Sequence, residues 1–164
     1  MRHKEAELVP NLTHAAIVQR HPAPLAEVRQ HEYRVCDTAL AQSWRDALVK
    51  RPEPDSIWVF AYGSLIWKPE IEPDDAVVAR VDGLHRRFCL WQWRSRGLPA
   101  RPGLMLALDD GGRCVGVAHR FVGTNLEERL WPLWRREMRG NGYLARWVNV
   151  TTSNESVKAL TFVA

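Results

Sequence analysis

The sequence predicts an α+β fold in which a mixed, barrel-like β-sheet carries flanking helices. Three observations lead to this prediction. Short runs of β-forming residues recur along the chain, few segments have helical periodicity, and strands and helices do not alternate as in a parallel α/β sheet. About six strands with few helices are typical of a largely antiparallel or mixed sheet that closes on itself.

Composition narrows the class of protein. The chain has 164 residues, of which 46% are hydrophobic and 26% charged, as in one globular domain. The net charge of +4 is scattered along the sequence, so no nucleic-acid partner is predicted. Cys36, Cys89 and Cys114 have no paired spacing, which indicates a reducing, cytoplasmic compartment. No apolar run reaches the roughly 20 residues of a membrane span, so no membrane contact is expected.

The chain divides into an arm and a domain. Residues 1–35 are polar, contain three prolines and lack sustained periodicity, which predicts a loosely ordered arm. Residues 36–164 form the predicted single domain. It opens with a helix, because Leu40, Trp44 and Leu48 recur every four residues. Asp37 or Thr38 is placed to cap this helix.

Strands are predicted from runs of apolar and β-branched residues. They occupy residues 57–61, 77–81, 87–91, 104–108, 114–121, 143–151 and 157–163. The first is a continuous apolar run and therefore a buried strand. The sequence Asp-Asp-Gly-Gly at residues 109–112 predicts a hairpin turn between its two neighbouring strands. The last two strands form a closing hairpin around residues 153–155.

A second helix is predicted over residues 126–138, with Thr124 opening a capping box. Leu126, Leu130 and Leu133 fall within about 60° of its surface, and Glu137 projects near the middle of that stripe. The basic residues of the helix are expected to point elsewhere: Arg129, Arg135 and Arg136.

Glu137 is therefore the most informative residue of the sequence. A helix that buries its leucines carries this carboxyl inward, and burial raises the pKa of a carboxyl group. The last helical turn, at the negative end of the dipole, acts in the same direction. A carboxyl of this kind suits a general acid and base. The alternatives are a glutamate that emerges into solvent or pairs with an arginine such as Arg101.

The turn after the first strand is a candidate binding loop. Tyr62, Gly63, Ser64 and Leu65 follow the buried run directly. Such a turn can present consecutive backbone N–H groups to a carboxylate or an oxyanion, and glycine lets a ligand approach the main chain. An ordinary turn at the end of a strand is the alternative reading.

No metal or cofactor is predicted. His85 and Cys89 are four residues apart, but no further ligand lies at a spacing typical of zinc. A glycine-rich phosphate motif is also missing. The eight tryptophans could stack on nucleic-acid bases, but most lie in or beside apolar runs, which indicates core packing.

Several motifs taken together resemble the ChaC family of γ-glutamylcyclotransferases, over residues 57–164. The matching segments follow in family order: VFAYGSLIW at 59–67, RRF at 86–88, RGLPARPG at 96–103, GVA at 116–118, LWRREM at 133–138 and GY at 142–143.

The resemblance implies a lyase that cleaves glutathione, or another γ-glutamyl compound, without metal or cofactor. The α-amine of the substrate attacks its own γ-glutamyl carbonyl, which releases 5-oxoproline and, from glutathione, cysteinylglycine. Glu137 corresponds to the catalytic glutamate. Residues 61–65, namely Ala61, Tyr62, Gly63, Ser64 and Leu65, correspond to the substrate-holding loop, and Tyr143 borders the pocket.

The chain also departs from the family pattern. Ala61 stands where glycine is frequent, and Leu98 stands where threonine is frequent. The sequence ends where the family is expected to continue into further helices. A truncated, non-catalytic relative that binds γ-glutamyl compounds or a protein partner is therefore the alternative. An apolar surface left exposed would favour self-association.

Overall fold

The computed structural model describes residues 35–93, 96–98, 100–140 and 142–164. The elements follow in this order: α1 (Asp37–Val49), β1 (Ser56–Ala61), a 3-10 turn (Ser64–Ile66), β2 (Asp75–Gln92), β3 (Gly103–Val122), α2 (Leu126–Met138), β4 (Leu144–Thr151) and β5 (Ser156–Val163). The predicted arm at residues 1–35 lies outside the described residues, apart from Val35.

The strands of the described chain close into a barrel in the order β1-β3-β2-β4-β5. Strand β5 completes the barrel because it pairs in parallel with both β1 and β3. The remaining pairs of neighbouring strands are antiparallel, so the sheet is mixed. This architecture confirms the predicted α+β class with a barrel-like mixed sheet.

Strand β1 is buried along its whole length, as the sequence predicted. Successive side chains of a strand point in opposite directions. Ile57, Val59 and Ala61 join a core shared with the two helices, whereas Trp58 and Phe60 pack inside the barrel with residues of the other strands. Because both faces are covered, every position of this strand is apolar or small.

The two helices pack against the outside of the barrel and against each other. The rings of Trp44 on α1 and Trp134 on α2 have centroids 4.9 Å apart. Each indole N–H crosses to the other helix, from Trp44 to the Glu127 carbonyl and from Trp134 to the Leu40 carbonyl. These contacts fix the two helices against each other, and the Trp134 ring also lies near the Phe162 ring of β5, with centroids 6.1 Å apart.

The hairpin predicted within residues 104–121 is wrong. Strand β3 runs from Gly103 to Val122 without reversing, and β2 is likewise one strand where two were predicted. The two strands pair with each other antiparallel over almost their full length, so they form one long hairpin.

Three glycines explain why the Asp-Asp-Gly-Gly segment does not turn the chain. Gly83, Gly111 and Gly112 have positive φ angles of 85°, 97° and 66°. The pairing register shifts between Asp82 and Leu84, opposite the glycine pair. Glycine tolerates these angles, so the extra residues form a β-bulge that bends both strands together.

The predicted caps are also corrected, although the bounds of α2 are confirmed. The N-cap of α1 is Cys36 rather than Asp37 or Thr38, and that of α2 is Asn125 rather than Thr124. Neither residue makes a side-chain capping hydrogen bond. Tertiary packing of the apolar stripe stabilises these helices and sets where they begin.

The closing hairpin is confirmed. Strands β4 and β5 pair antiparallel along their whole length. The amide of Thr152 donates to the Glu155 carbonyl, and the Thr152 hydroxyl accepts hydrogen bonds from the amides of Asn154 and Glu155. The side chain therefore replaces backbone partners in the turn.

We predict that Gly116→Ala destabilises the barrel. A Cβ at this position would clash with the Ala61 carbonyl oxygen and the Phe60 ring, so β1 would have to move. The free energy of unfolding, measured by denaturant titration, should fall by about 2–3 kcal/mol. Gly140→Ala is the control, because a Cβ there meets no described atom within 4 Å. Equal stability of the two variants would contradict this packing.

Candidate active site

A cavity of about 310 Å³ opens beyond the C-terminal end of β1. The loop after β1, the distal part of the β2–β3 hairpin and the end of α2 enclose it. This volume lies at the small end of the range for ligand sites, about 300–1,000 Å³.

Six of the seven residues predicted for the site line this cavity: Tyr62, Gly63, Ser64, Leu65, Glu137 and Tyr143. The seventh, Ala61, is fully buried at the end of β1 and is not among the lining residues. The structure thus brings together residues that lie up to 81 positions apart along the chain, from Tyr62 to Tyr143.

A larger and more open depression of about 480 Å³ lies elsewhere, where the end of α1 meets the start of α2. Arg45, Arg51, two prolines and Glu127 contribute to its lining. This depression is more open to solvent than the cavity beside β1, and none of the residues predicted for the site lines it. The smaller cavity is therefore the better candidate for chemistry.

Glu137 occupies the last turn of α2 and points into the cavity, as the leucine stripe predicted. Leu126, Leu130 and Leu133 are buried, and the Glu137 side chain is only 13% exposed. Burial raises the pKa of the Glu137 carboxyl. The Arg136 guanidinium opposes this rise in pKa, and the charge of Glu70 adds to it.

Arg136 was expected to point away from the leucine stripe, but its guanidinium reaches the Glu137 carboxyl. Its Nε lies 3.1 Å from Glu137 Oε1, and its Nη2 donates to Ser64 Oγ at 2.9 Å. Consecutive helical residues project about 100° apart, but the flexible stem of arginine lets its head reach back. Arg101 was considered above as an ion-pair partner of Glu137. Among the ion pairs of the described residues, that partner is Arg136 instead.

Two tyrosines stand beside this carboxyl. The Tyr62 hydroxyl donates to the Phe162 carbonyl at 2.8 Å, and the Tyr143 ring packs against the Phe162 ring with centroids 6.3 Å apart. Burial, chiefly, raises the pKa of both phenols, and the charge of Glu137 raises it further. Both hydroxyls therefore stay protonated around neutral pH and can donate hydrogen bonds.

The loop after β1 folds into a 3-10 turn that begins at Ser64. Its first internal hydrogen bond runs from the Ile66 amide to the Gly63 carbonyl, so the turn supplies no acceptor for the amides of Ser64 and Leu65. A Cβ added at Gly63 would meet no described atom within 4 Å. The space beside this glycine is therefore open toward the cavity that it lines.

Side chains of strands β3 and β2 form hydrogen bonds with the backbone of the loop after β1. His119 Nε2 lies 3.1 Å from the Leu65 carbonyl oxygen, and because a carbonyl only accepts, this nitrogen carries the proton. Burial lowers the pKa of His119 and keeps the ring neutral. Arg86 Nη1 donates to the Tyr62 carbonyl at 3.2 Å.

The opposite wall of the cavity was not predicted from the sequence. It is mainly apolar and includes Trp67, Phe88, Leu104, Met105, Leu106 and Phe162. Arg96 adds a cation, and its Nη1 donates to Met105 Sδ at 3.0 Å. Trp67, Phe88 and Arg96 lie within the motifs that resemble the ChaC family. Their position in those motifs is the sequence signal that could have identified them as part of the site.

The described ranges contain no group of three or more His, Cys, Asp or Glu side chains placed to hold a metal ion. Among the same residues, no helix is long and apolar enough to cross a membrane.

Comparison with known proteins shows what this chain is similar to. The family model described as "ChaC-like protein" matches residues 57–164. A solved yeast structure, described as a γ-glutamyl cyclotransferase specific to glutathione, superposes with a TM-score of 0.57 at 21% identity. That alignment covers 66% of this chain and 69% of the yeast chain, and at this identity it supports the fold alone.

Two curated relatives are more similar in sequence. The glutathione-specific gamma-glutamylcyclotransferase of Escherichia coli K12 is 40% identical over 124 residues, covering 75% of this chain and 54% of the relative. Glutathione-specific gamma-glutamylcyclotransferase 1 of Rattus norvegicus is 35% identical over 127 residues, covering 74% and 55%. The chain thus spans about half the length of the curated relatives it matches. The family model and these relatives show that the chain belongs to the ChaC-like protein family.

Proposed function

We propose that residues 36–164 form one γ-glutamylcyclotransferase domain that cleaves glutathione to 5-oxoproline and cysteinylglycine. The observation that carries the proposal is a mostly buried carboxyl, Glu137, in the same cavity as the open turn at residues 62–65. The E. coli and rat relatives, both glutathione-specific gamma-glutamylcyclotransferases by name, support glutathione as the substrate.

The reaction is an intramolecular aminolysis. The α-amine nitrogen of the glutamyl residue bonds to its γ-carbonyl carbon, and the amide bond from that carbon to the cysteine nitrogen breaks. The amine loses a proton and the departing nitrogen gains one, so the products contain all the atoms of the substrate. One group that first accepts and then donates a proton satisfies both needs.

Glu137 is that group in our proposal. Burial raises its pKa, which makes the carboxylate a stronger base toward the substrate amine and keeps the protonated form accessible for the return of the proton. Deprotonated Glu137 takes the proton from the substrate amine, and protonated Glu137 delivers it to the leaving nitrogen. Tyr143, which keeps its proton, supplies a neutral hydrogen-bond donor beside it, whereas the Tyr62 hydroxyl already donates to the Phe162 carbonyl.

The loop after β1 holds the glutamyl part folded for ring closure. The amides of Ser64 and Leu65 donate to the oxyanion that develops as the amine attacks. The open space at Gly63 lets the substrate approach the main chain. Holding both reacting ends together removes much of the entropic barrier of ring closure.

Arg96 and the apolar wall receive the rest of the substrate. The guanidinium donates to a thioether, which is a weak acceptor, so a carboxylate of glutathione can replace it with a stronger, charge-assisted bond. The same loop and carboxyl would serve another γ-glutamyl dipeptide or a γ-glutamylamine. Comparing kcat/KM across a panel of such compounds shows which of them is the preferred substrate.

The proposed compartment is the cytoplasm, because all three cysteines are free.

The second candidate function is binding of γ-glutamyl compounds, or of a protein partner, without turnover. Trp67 and Phe88, which are 74% and 56% exposed at the cavity, favour a covering partner or a second copy of the chain. Release of 5-oxoproline by the purified protein would exclude a purely binding role.

We predict that Glu137→Gln lowers kcat/KM for glutathione by about 100-fold or more, because the amide cannot shuttle a proton. Chromatography of 5-oxoproline measures the rate, and thermal unfolding shows whether the variant is folded. Glu128→Gln, an exposed carboxyl on the same helix, is the control and should keep wild-type activity. An active Glu137→Gln enzyme would remove Glu137 from the mechanism.

We predict that Gly63→Ala raises the KM for glutathione about tenfold or more, because the new methyl group enters the space reserved for substrate. Its unfolding midpoint should match that of Gly140→Ala, because Gly140 is another glycine without a positive φ at which an added Cβ meets open space. Unchanged kinetics in Gly63→Ala would show that substrate does not approach the loop at this point.

A further inference from the structure

Beside the cavity, Arg136 connects the end of α2 to the loop that follows β1. Its Nη1 donates to the Lys68 carbonyl at 2.7 Å and to Glu70 Oε2 at 3.0 Å. Its Nη2 donates to Ser64 Oγ at 2.9 Å, and its Nε lies 3.1 Å from Glu137 Oε1. All three nitrogens of one guanidinium are therefore used, each with its own partners.

This arrangement places one cation between two carboxylates. A cation paired with Glu137 alone would stabilise its charged form and hold it as an anion. Glu70 shares the same guanidinium and adds a negative charge nearby, which acts in the opposite direction. The two neighbours thus pull the proton affinity of Glu137 in opposite directions.

Glu70 adopts an unusual backbone conformation to reach this place. Its φ is 70°, and no other non-glycine residue of the described chain has a positive φ. Left-handed backbone is unfavourable for a residue such as glutamate and persists only where its surroundings hold it. The Glu70 and Arg136 side chains are 36% and 25% exposed, so the ion pair itself contributes little to folding.

We propose that Glu70 and Arg136 are positioning residues for the proton transfer: Arg136 ties Glu137 to Ser64, and Glu70 offsets its charge. The inference rests on the proposed function of this cavity and adds to it. Without Glu70, Arg136 would hold Glu137 as a paired anion. Without Arg136, Glu137 would hold its proton too firmly and the loop would lose its tie to α2.

Other groups around Glu137 do not replace these two. Tyr62 at the end of β1 and Tyr143 before β4 face the carboxyl, and burial raises their pKa, so both are neutral. Arg96 and Cys89 act on Tyr143. The pKa of Glu137 itself is set by burial first, then lowered by Arg136 and raised by Glu70.

The test is the pKa of Glu137, measured by carbon NMR of protein labelled at the glutamate carboxyls. The Glu137 resonance is the one that Glu137→Gln removes. We expect Glu70→Gln to lower this pKa by about half a unit or more, and Arg136→Gln to raise it. Glu70→Gly, which also relieves the backbone, should give the same shift as Glu70→Gln if the charge is the cause.

Kinetics provide the second readout. Because deprotonated Glu137 accepts the proton, kcat/KM rises with pH through its pKa. The acidic limb of the plot of kcat/KM against pH should therefore move to lower pH in Glu70→Gln and to higher pH in Arg136→Gln. Arg136→Lys keeps the charge without the fork of donors, so its acidic limb should stay near that of wild type while KM rises. Asp82→Asn, an exposed partner of Arg80, is the control and should change neither quantity.

A Glu137 pKa that stays within about 0.2 units in Glu70→Gln, or that shifts the same way in both charge variants, would overturn the inference. If Arg136→Gln does not fold, Glu70→Gln alone decides. Wild-type protein that releases no 5-oxoproline would contradict the proposed function, whereas the NMR titration would still test the network.

Discussion

Strand β1 is buried on both faces, between the helices on one side and the barrel interior on the other, and this double burial positions the site. A strand held on both faces has little freedom to shift along its axis, so the loop that follows it has a fixed starting point. The same core residues hold α2, whose last turn carries Glu137. The loop and the carboxyl meet because one apolar core supports both.

The electrostatics of the cavity follow from that packing. Burying a carboxyl is unfavourable unless it is paired, neutral or hydrogen-bonded. Here burial raises the pKa of Glu137 while Arg136 limits the rise, and the raised pKa values of the neighbouring phenols keep them neutral. A group that can exist in either protonation state suits a reaction in which one proton is first removed and then returned.

Much of this could be predicted from the sequence because the signals are local. The leucine stripe of α2 placed Glu137, the continuous apolar run of β1 placed residues 62–65 at a strand end, and the closing hairpin followed from its turn. The fold class followed from the order of strand and helix signals, although β2 and β3 were each predicted as two strands. Residue-level positions were correct where a helix or strand fixes the direction of a side chain.

The failures concern partners that are distant along the chain or reached by long side chains. Asp-Asp-Gly-Gly at residues 109–112 has the composition of a turn, but β2 pairs with both halves of β3 and converts it into a bulge. Helical position gave the direction of the Arg136 stem and not the location of its guanidinium. Arg96 and most of the apolar wall belong to the end of the β2–β3 hairpin, whose placement depends on the whole barrel.

The proposed reaction requires that the substrate's own amine, and not water, attacks the γ-glutamyl carbonyl. The most direct measurement is mass spectrometry of the products formed from glutathione labelled with nitrogen-15 at the glutamyl amine, in water enriched in oxygen-18. The account predicts 5-oxoproline that keeps the nitrogen-15 in its ring and takes up no oxygen-18, together with cysteinylglycine. Glutamate carrying oxygen-18, or no cleavage at high enzyme concentration, would contradict it.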